Sequence, residues 1–252
     1  MLRNRVIPTL LLHGKSLVKT ERFQRYCYIG DPANTVRIFN ELEVDELCFL
    51  DIKAARIRSR PDLGVLQEIA GECFMPISYG GGVDSLEIAR RIFDIGVEKI
   101  ILNSVVFTNP ELVTQIAQVF GSQAVVVAMD VKKHLWKGLC LVSHGGRVWQ
   151  SETPVEWARR AEELGAGELL LTAVDREGTW QGFDIGLVKK ISAELTIPVI
   201  AHGGAAGPKD IKMAIHAGGA SAVALGASVV FQKKGMGVLV NFPTAHDLKD
   251  II

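Results

Sequence analysis

A closed (β/α)8 barrel is the fold class that this 252-residue sequence predicts, and three observations predict it. Eight short apolar runs recur along the chain, each followed by a loop and usually by a helix-like stretch. The runs are apolar almost throughout rather than alternating, as strands buried on both faces must be. The chain also resembles itself across half its length, which suits a barrel made of two four-strand halves. A doubly wound sheet is the second reading, and the length fits a barrel forming one domain.

Taken in order, strands are expected at 5–11 (RVIPTLL), 46–51 (ELCFLD), 76–79 (PISY) and 99–102 (KIIL). Four more are expected at 124–130 (AVVVAMD), 168–174 (ELLLTAV), 197–201 (IPVIA) and 221–225 (SAVAL). Between them lie helix signals. Asp84 and Glu87 form a D-x-x-E start, with Leu86, Ala89, Ile92 and Phe93 on one face. Asn109-Pro110 opens a helix with Leu112, Ile116 and Val119 at helical spacing. Thr153, Pro154 and Glu156 make a capping box with proline at the first helical position, and Gly165 closes that helix.

The repeat sharpens the prediction. Residues 79–107 resemble 201–231: both open with a glycine pair after a strand, and both end in SVVF. Gly82 to Gly204 is 122 residues, while Ser104 to Ser228 and Asp51 to Asp175 are each 124. The expected halves are 1–122 and 123–252, joined without a linker into a single domain, because neither half can bury its sheet alone.

Composition excludes several classes. With 28 Lys+Arg against 28 Asp+Glu there is no net positive field to recruit nucleic acid or an anionic membrane. Although 48% of residues are hydrophobic, no apolar run is long enough to span a bilayer. The opening MLRNRVIPTLLLHGKS is basic, then apolar, but lacks a small-residue cleavage site and reads as a first strand. Cys27, Cys48, Cys73 and Cys140 are far apart and form no zinc pattern. A reduced, cytoplasmic chain without metal or cofactor is expected.

In a barrel of this class the active face lies at the carboxyl ends of the strands. Those ends carry Leu11, Asp51, Gly80-Gly81-Gly82, Asn103-Ser104, Asp130, Asp175, His202-Gly203-Gly204 and Gly226-Ala227-Ser228. Glycine turns leave backbone N–H groups bare enough to wrap an oxyanion. Gly82 with Asn103 and Ser104 would form one phosphate cradle; Gly204 with Gly178, Ala227 and Ser228 would form a second. One such turn alone would be read as tight chain reversal, but two symmetry-related sets favour a substrate phosphorylated at both ends. Asp130 is a candidate general acid or base, with a loop-capping role as the bland alternative. Its counterpart at the end of the first strand has no ionisable group before His13.

At the opposite strand ends sit Arg5, Glu46, Lys99 and Glu168, read as one from every second unit and pointing into the axis. Two positive and two negative groups can neutralise each other as a ring across the barrel bottom, whereas isolated charges there would be costly. Solvated strand-end charges are the alternative.

These residues carry a family resemblance. Over nearly its whole length the chain resembles the cyclase subunit of imidazole glycerol phosphate synthase, the HisF family. The segments ELVTQIAQVFGSQAVVVAMD (111–130) and GAGELLLTAVDREGTWQGFD (165–184), with the glycines at 80–82 and 203–204, are specific to that group. The resemblance implies a barrel that binds a bis-phosphorylated ribulosyl aminoimidazole at its top. It also implies a glutaminase docked at the bottom and ammonia travelling along the axis. Carried over by position, Arg5, Glu46, Lys99 and Glu168 correspond to the channel gate, and Glu98 and Gln123 to the glutaminase interface. Asp130 corresponds to one of two catalytic carboxylates, and Lys19 and Asp51 to the active-site mouth.

The departures are sharp. The family's other catalytic carboxylate falls on Leu11, which carries no proton, and losing a positioned acid or base costs about 10²–10⁴ in rate. Glu177 replaces a shorter acid, Lys53 and His202 replace small residues, and the pattern past Ser228 gives way to FQKKGMGVLVNFP. Such paralogues resemble partners of a glutaminase and a sugar amidotransferase that forms acetamidino groups on surface sugars. The expected function is therefore ammonia conduction with vestigial cyclase activity. The rivals are a true cyclase of histidine biosynthesis using His13, Lys53 or His202, and a phosphate-binding scaffold without a channel.

Overall fold

The structure, a computed structural model, describes residues 4–57, 59–249 and 251, so the first three residues of the basic opening lie outside it. In chain order the first strands are β1 (Arg5–His13), β2 (Ser16–Glu21), β3 (Gln24–Gly30), β4 (Leu47–Asp51), β5 (Ile77–Gly80) and β6 (Lys99–Leu102). There follow β7 (Val125–His134), β8 (Gly138–Ser143), β9 (Val148–Trp149), β10 (Glu168–Ala173), β11 (Val199–His202) and β12 (Ala222–Leu225). The helices are α1 (Pro32–Glu41), α2 (Ile52–Ile57), α3 (Leu63–Glu72), α4 (Leu86–Asp94) and α5 (Glu111–Phe120). The second half adds α6 (Pro154–Glu163), α7 (Ile185–Ser192), α8 (Pro208–Lys212) and α9 (Ala245–Leu248).

Eight of the strands close into a parallel barrel, the (β/α)8 or TIM barrel that the apolar runs predict. Around it run β1, β4, β5, β6, β7, β10, β11 and β12, and β12 returns to β1 with Arg5 opposite Ala222. Closure leaves no unpaired strand edge in the barrel. Because successive side chains alternate in direction, one set fills the axis and the other meets the helices. The axial set includes Ile7, Cys48, Ile101, Val126, Ala128, Leu170, Ile200, Ala222 and Ala224, all nearly fully buried. The outer set includes Val6, Leu10 and Leu12 of β1, which belong to one continuous buried cluster with Phe39 of α1 and Ile92 of α4. Burying one such side chain stabilises the fold by about 1.5–3 kcal/mol.

The helix signals hold with adjustments. Thr153 and Glu156 form the reciprocal capping box of α6, with Pro154 in its first turn. The cap of α4 is Ser85 rather than Asp84: the Ser85 hydroxyl accepts from the Ile88 N–H, one residue later than the D-x-x-E spacing suggests. In α5 the buried face is Leu112, Val113 and Ile116, while Val119 points outward at 44% exposure.

Two further corrections bear on function. The charged residues come from the first, second, fourth and sixth barrel strands, not from alternate units, with Glu46 immediately preceding β4. The strands β1 and β7 also run past the barrel rim to His13 and His134, and each folds over into antiparallel partners. The β1 extension pairs with β2 and β3, and the β7 extension with β8 and β9. The apolar runs do not forecast these two flaps, which stand above the carboxyl ends of the strands.

Candidate functional site

The flaps and strand ends enclose a mouth cavity of about 830 Å³. Leu11, Asp51, Gly80, Gly81, Gly82, Asn103, Ser104, Asp130, Thr172, Glu177 and His202 all line it, so most of the residues read from the strand ends converge. Thr172 and Thr20 were not singled out by sequence. Thr172 is placed by its register, directly opposite Asp130 on one side and His202 on the other.

Asp130 is the best-developed acid–base group of the cavity. Asn103 Nδ2 donates to its Oδ2 at 2.8 Å. Burial pushes its pKa up to about 6, against the hydrogen bonds from Asn103 and Thr172, and the negative charge of Glu177 adds to the rise. At neutral pH the group is ionised and suited to accept a proton. Leu11, 6% exposed, shares the cavity wall and offers nothing to exchange with it.

The other titratable groups are differently occupied. Glu177 accepts from Thr20 Oγ1 at 3.0 Å and from the Phe23 N–H at 3.1 Å, so it ties the β2–β3 turn to the cavity floor. Burial raises its pKa, opposed chiefly by the Phe23 N–H and by Lys19. Asp51 accepts from the Ala54 N–H at 2.8 Å and caps the start of the following helix; burial raises its pKa too. Asp175 accepts from the Lys133 N–H at 2.6 Å and braces the β7 flap.

Lys19 is not on the cavity wall. Its ammonium lies buried in the barrel, donates to the Thr9 carbonyl, and is lowered to about 8 by burial despite Glu177 and Cys48. His202 lies near it, with Nδ1 at 3.1 Å from Thr172 Oγ1. Burial, with the charge of Lys19 adding, drives His202 down to about 3, so the ring is neutral. His13 and Lys53 are exposed and do not line the cavity, which leaves His202 as the one proposed substitute base that reaches it.

The two glycine sets fall on opposite sides of the mouth. Gly178, Gly203, Gly204, Gly226 and Ala227 border a second small recess beside Glu177 and His202; Ser228 does not line it. Gly82 has φ 71° and a Cβ there would stand 2.4 Å from the Ser59 carbonyl oxygen. Gly204 has φ 105° and a Cβ there would stand 2.3 Å from the Gly182 carbonyl oxygen. Close backbone approach alone therefore requires glycine at both positions. Ser104 Oγ accepts from the His144 N–H at 3.0 Å. Asn103 Oδ1 and Ser228 Oγ, by contrast, are buried with no hydrogen-bond partner among the described residues.

At the far end of the axis the four charges do form a ring. Arg5 Nη1 meets Glu46 Oε2 at 2.6 Å and Nη2 meets Glu168 Oε1 at 2.7 Å. Lys99 Nζ meets the same two carboxylates at 3.1 and 3.3 Å. Burial works against the Arg5 charge, but attraction to Glu168 and Glu46 outweighs it and raises its pKa. Glu98 and Gln123 are exposed at this same end. Among the described residues no helix is long and apolar enough to cross a membrane.

A closed parallel barrel with ionisable groups at the carboxyl ends and a charge ring at the other end defines a (β/α)8 protein with a single axial polarity. The chain matches the family described as histidine biosynthesis protein over residues 5–235, and it belongs to that family. A Pseudomonas aeruginosa protein provisionally named imidazole glycerol phosphate synthase subunit hisF2 is 45% identical over 248 residues, 98% of this chain and 99% of its own. A Vibrio vulnificus protein provisionally named subunit hisF3 of the same synthase is 43% identical, over 99% of this chain and 96% of its own. The imidazole glycerol phosphate synthase subunit HisF of Leptospira biflexa is 39% identical, over 90% of this chain and 89% of its own.

Proposed function

We propose that this chain is a HisF-like barrel subunit that works with a glutaminase and conducts glutamine-derived ammonia along its axis to a separate sugar amidotransferase. Its own cyclase activity is weak. The observation that carries this reading is Leu11: an apolar side chain lines the cavity with Asp130 where the family resemblance calls for a second carboxylate. Glu177 acts on Asp130 only through space, because both of its oxygens are engaged by Thr20 and Phe23. The charge ring, by contrast, has all four members in place.

In this reading Arg5, Glu46, Lys99 and Glu168 gate the axis, and the ring parts when a glutaminase docks against the end carrying Glu98 and Gln123. Above the gate, neutral ammonia meets small buried side chains, Ala128, Ala222, Ala224 and Cys48, which offer a free ammonium ion no carboxylate partner, and the buried Lys19 ammonium farther up repels a second cation. Gly82, Asn103 and Ser104 on one side and Gly178, Gly204, Ala227 and Ser228 on the other hold phosphate groups. Asp51 and Lys19 support the mouth rather than exchange protons.

A working cyclase of histidine biosynthesis is the second reading, favoured by the near-neutral Asp130 and by the unpartnered Asn103 Oδ1 and Ser228 Oγ. One assay separates them. Purified protein given ammonium salt should turn over the ribulosyl aminoimidazole bisphosphate negligibly, and turnover at rates usual for such cyclases would restore the second reading.

A further inference from the structure

Three segments rise above the barrel mouth, and they share one chemistry. The β2–β3 turn and β3 carry Arg22, Arg25, Tyr26 and Tyr28. The end of β7 carries Lys133, the β7–β8 turn carries Leu135, Trp136 and Lys137, and the loop after β12 carries Lys233, Lys234, Met236 and Leu239. Residues 22–28, 131–150 and 232–239 contain no Asp or Glu, in a chain whose overall charge is zero. Among the described residues none of their Lys or Arg side chains is ion-paired with a carboxylate.

The apolar members are exposed to a degree that folding does not explain. Leu135 and Trp136 are 93% and 89% exposed at the tip of the β7–β8 flap. Tyr28 is 64% exposed, and Met236 and Leu239 are each 51% exposed. The tip is held in shape rather than left loose. His134 Nδ1 accepts from the N–H groups of Trp136 and Lys137 at 3.2 and 3.3 Å, and the His134 ring stands edge-on to Trp149 at 5.1 Å. A pre-shaped aromatic with flanking cations is the form of an interface anchor, since little conformational entropy remains to be lost on docking.

We infer that this cationic, aromatic rim is the docking surface for the protein that consumes the ammonia, and that the partner offers an acidic surface with an apolar pocket for Trp136. The inference rests on the conduit reading: ammonia leaving into water would protonate and be lost, so its acceptor must cover the mouth. Charge fixes the chemistry of the partner, because unpaired Lys and Arg on three separate segments complement carboxylates. A lipid surface carries anions too, but it would cap the cavity without supplying an acceptor for ammonia.

The test replaces Trp136 with photoreactive benzoylphenylalanine in the full chain, in its native cells, with the same replacement at exposed Glu163 on the outer wall as control. The expected result is one protein adduct from position 136 and none from 163. That protein, once identified and purified, should bind the wild-type chain with a salt-sensitive Kd. Its affinity should fall at least about tenfold with Trp136→Ser and with Lys133→Glu plus Lys137→Glu. Four outcomes of these binding experiments overturn the inference: no adduct, an adduct with a second copy of this chain, a partner whose affinity ignores these variants, or Trp136-dependent sedimentation with phosphatidylglycerol vesicles in place of a protein adduct. A separate measurement follows labelled amide nitrogen from glutamine into the acceptor product. If label arrives equally with Trp136→Ser, the surface is wrong and the conduit stands. If the partner docks through Trp136 but no label arrives, the conduit reading falls and the surface stands.

Discussion

Removing the Asp130 carboxylate from water raises its pKa to about 6, although Asn103 donates to it and the nearby Thr172 hydroxyl also opposes the rise. The unfolded chain releases this proton near 3.8, so the folded state binds more protons between the two values and loses stability as pH climbs through that window. Above pH 6 the cost is complete, about 3 kcal/mol for a shift of about two units. Asp130→Asn should therefore be more stable than wild type by about 1–3 kcal/mol at pH 7.5, with the gain fading below pH 4. Urea denaturation at the two pH values checks this, and an equal gain at both would mean that Asp130 is not under strain. Leu11 yields the converse prediction. Leu11→Asp should raise residual cyclase turnover roughly 10–10²-fold while Leu11→Asn does not, since only the former can carry a proton. No difference between the two would shift the blame to the neighbouring changes. Asp130 and Leu11 were legible in the sequence because a strand end fixes their position. Thr172 was not, because its role depends on cross-strand register, and neither was the withdrawal of Lys19 from the cavity wall.

At the scale of elements, the eight barrel strands were readable because both of their faces are buried. Runs such as VVVAM and ELLLTA therefore need no alternation to be recognised. The flaps were missed for the opposite reason. Residues 24–28 and 148–149 are exposed, and β8 buries only Leu141, Val142 and Ser143 in one consecutive run, so neither flap shows the long apolar run of a barrel strand or a regular alternation. The turn joining β2 and β3 also hides its geometry, with Arg22 and Phe23 at φ 54° and 62°, and Arg25 at the start of β3 at φ 56°, in place of the usual glycine. Helix starts were legible where a side chain closes a reciprocal pair. Thr153 accepts from the Glu156 N–H, and Glu156 accepts from the Thr153 N–H at 2.9 Å. Thr153→Ala should cost about 1 kcal/mol in urea denaturation. A neutral result would mean that water satisfies the first turn of α6 equally well.

For the molecule as a whole, the axis runs from a charge ring through a largely apolar interior to an ionisable mouth, and the proposed conduit is tested at the ring. Its four ion pairs span the axis, so on the proposed conduit reading passage requires at least one to part. Lys99 bridges Glu46 and Glu168 with longer contacts than Arg5 makes, and it is the member most easily displaced. Removing it leaves two carboxylates sharing one guanidinium, with the Glu46 side chain only 6% exposed. Loss of one partner from a buried pair costs about 3–5 kcal/mol, and the partial exposure of Lys99 brings the expectation for Lys99→Ala to roughly 1–3 kcal/mol. The effect on transport is separate from that loss. With the gate member gone, an assembled glutaminase complex should still hydrolyse glutamine. The share of nitrogen reaching the acceptor should nevertheless fall several-fold relative to free ammonia in the medium, roughly in line with about 1 kcal/mol of lost guidance. Supplying ammonium at high pH should restore product formation, because the acceptor step is untouched. If Lys99→Ala delivered nitrogen as efficiently as wild type, the ring would be a structural plug, and ammonia would have to take another path.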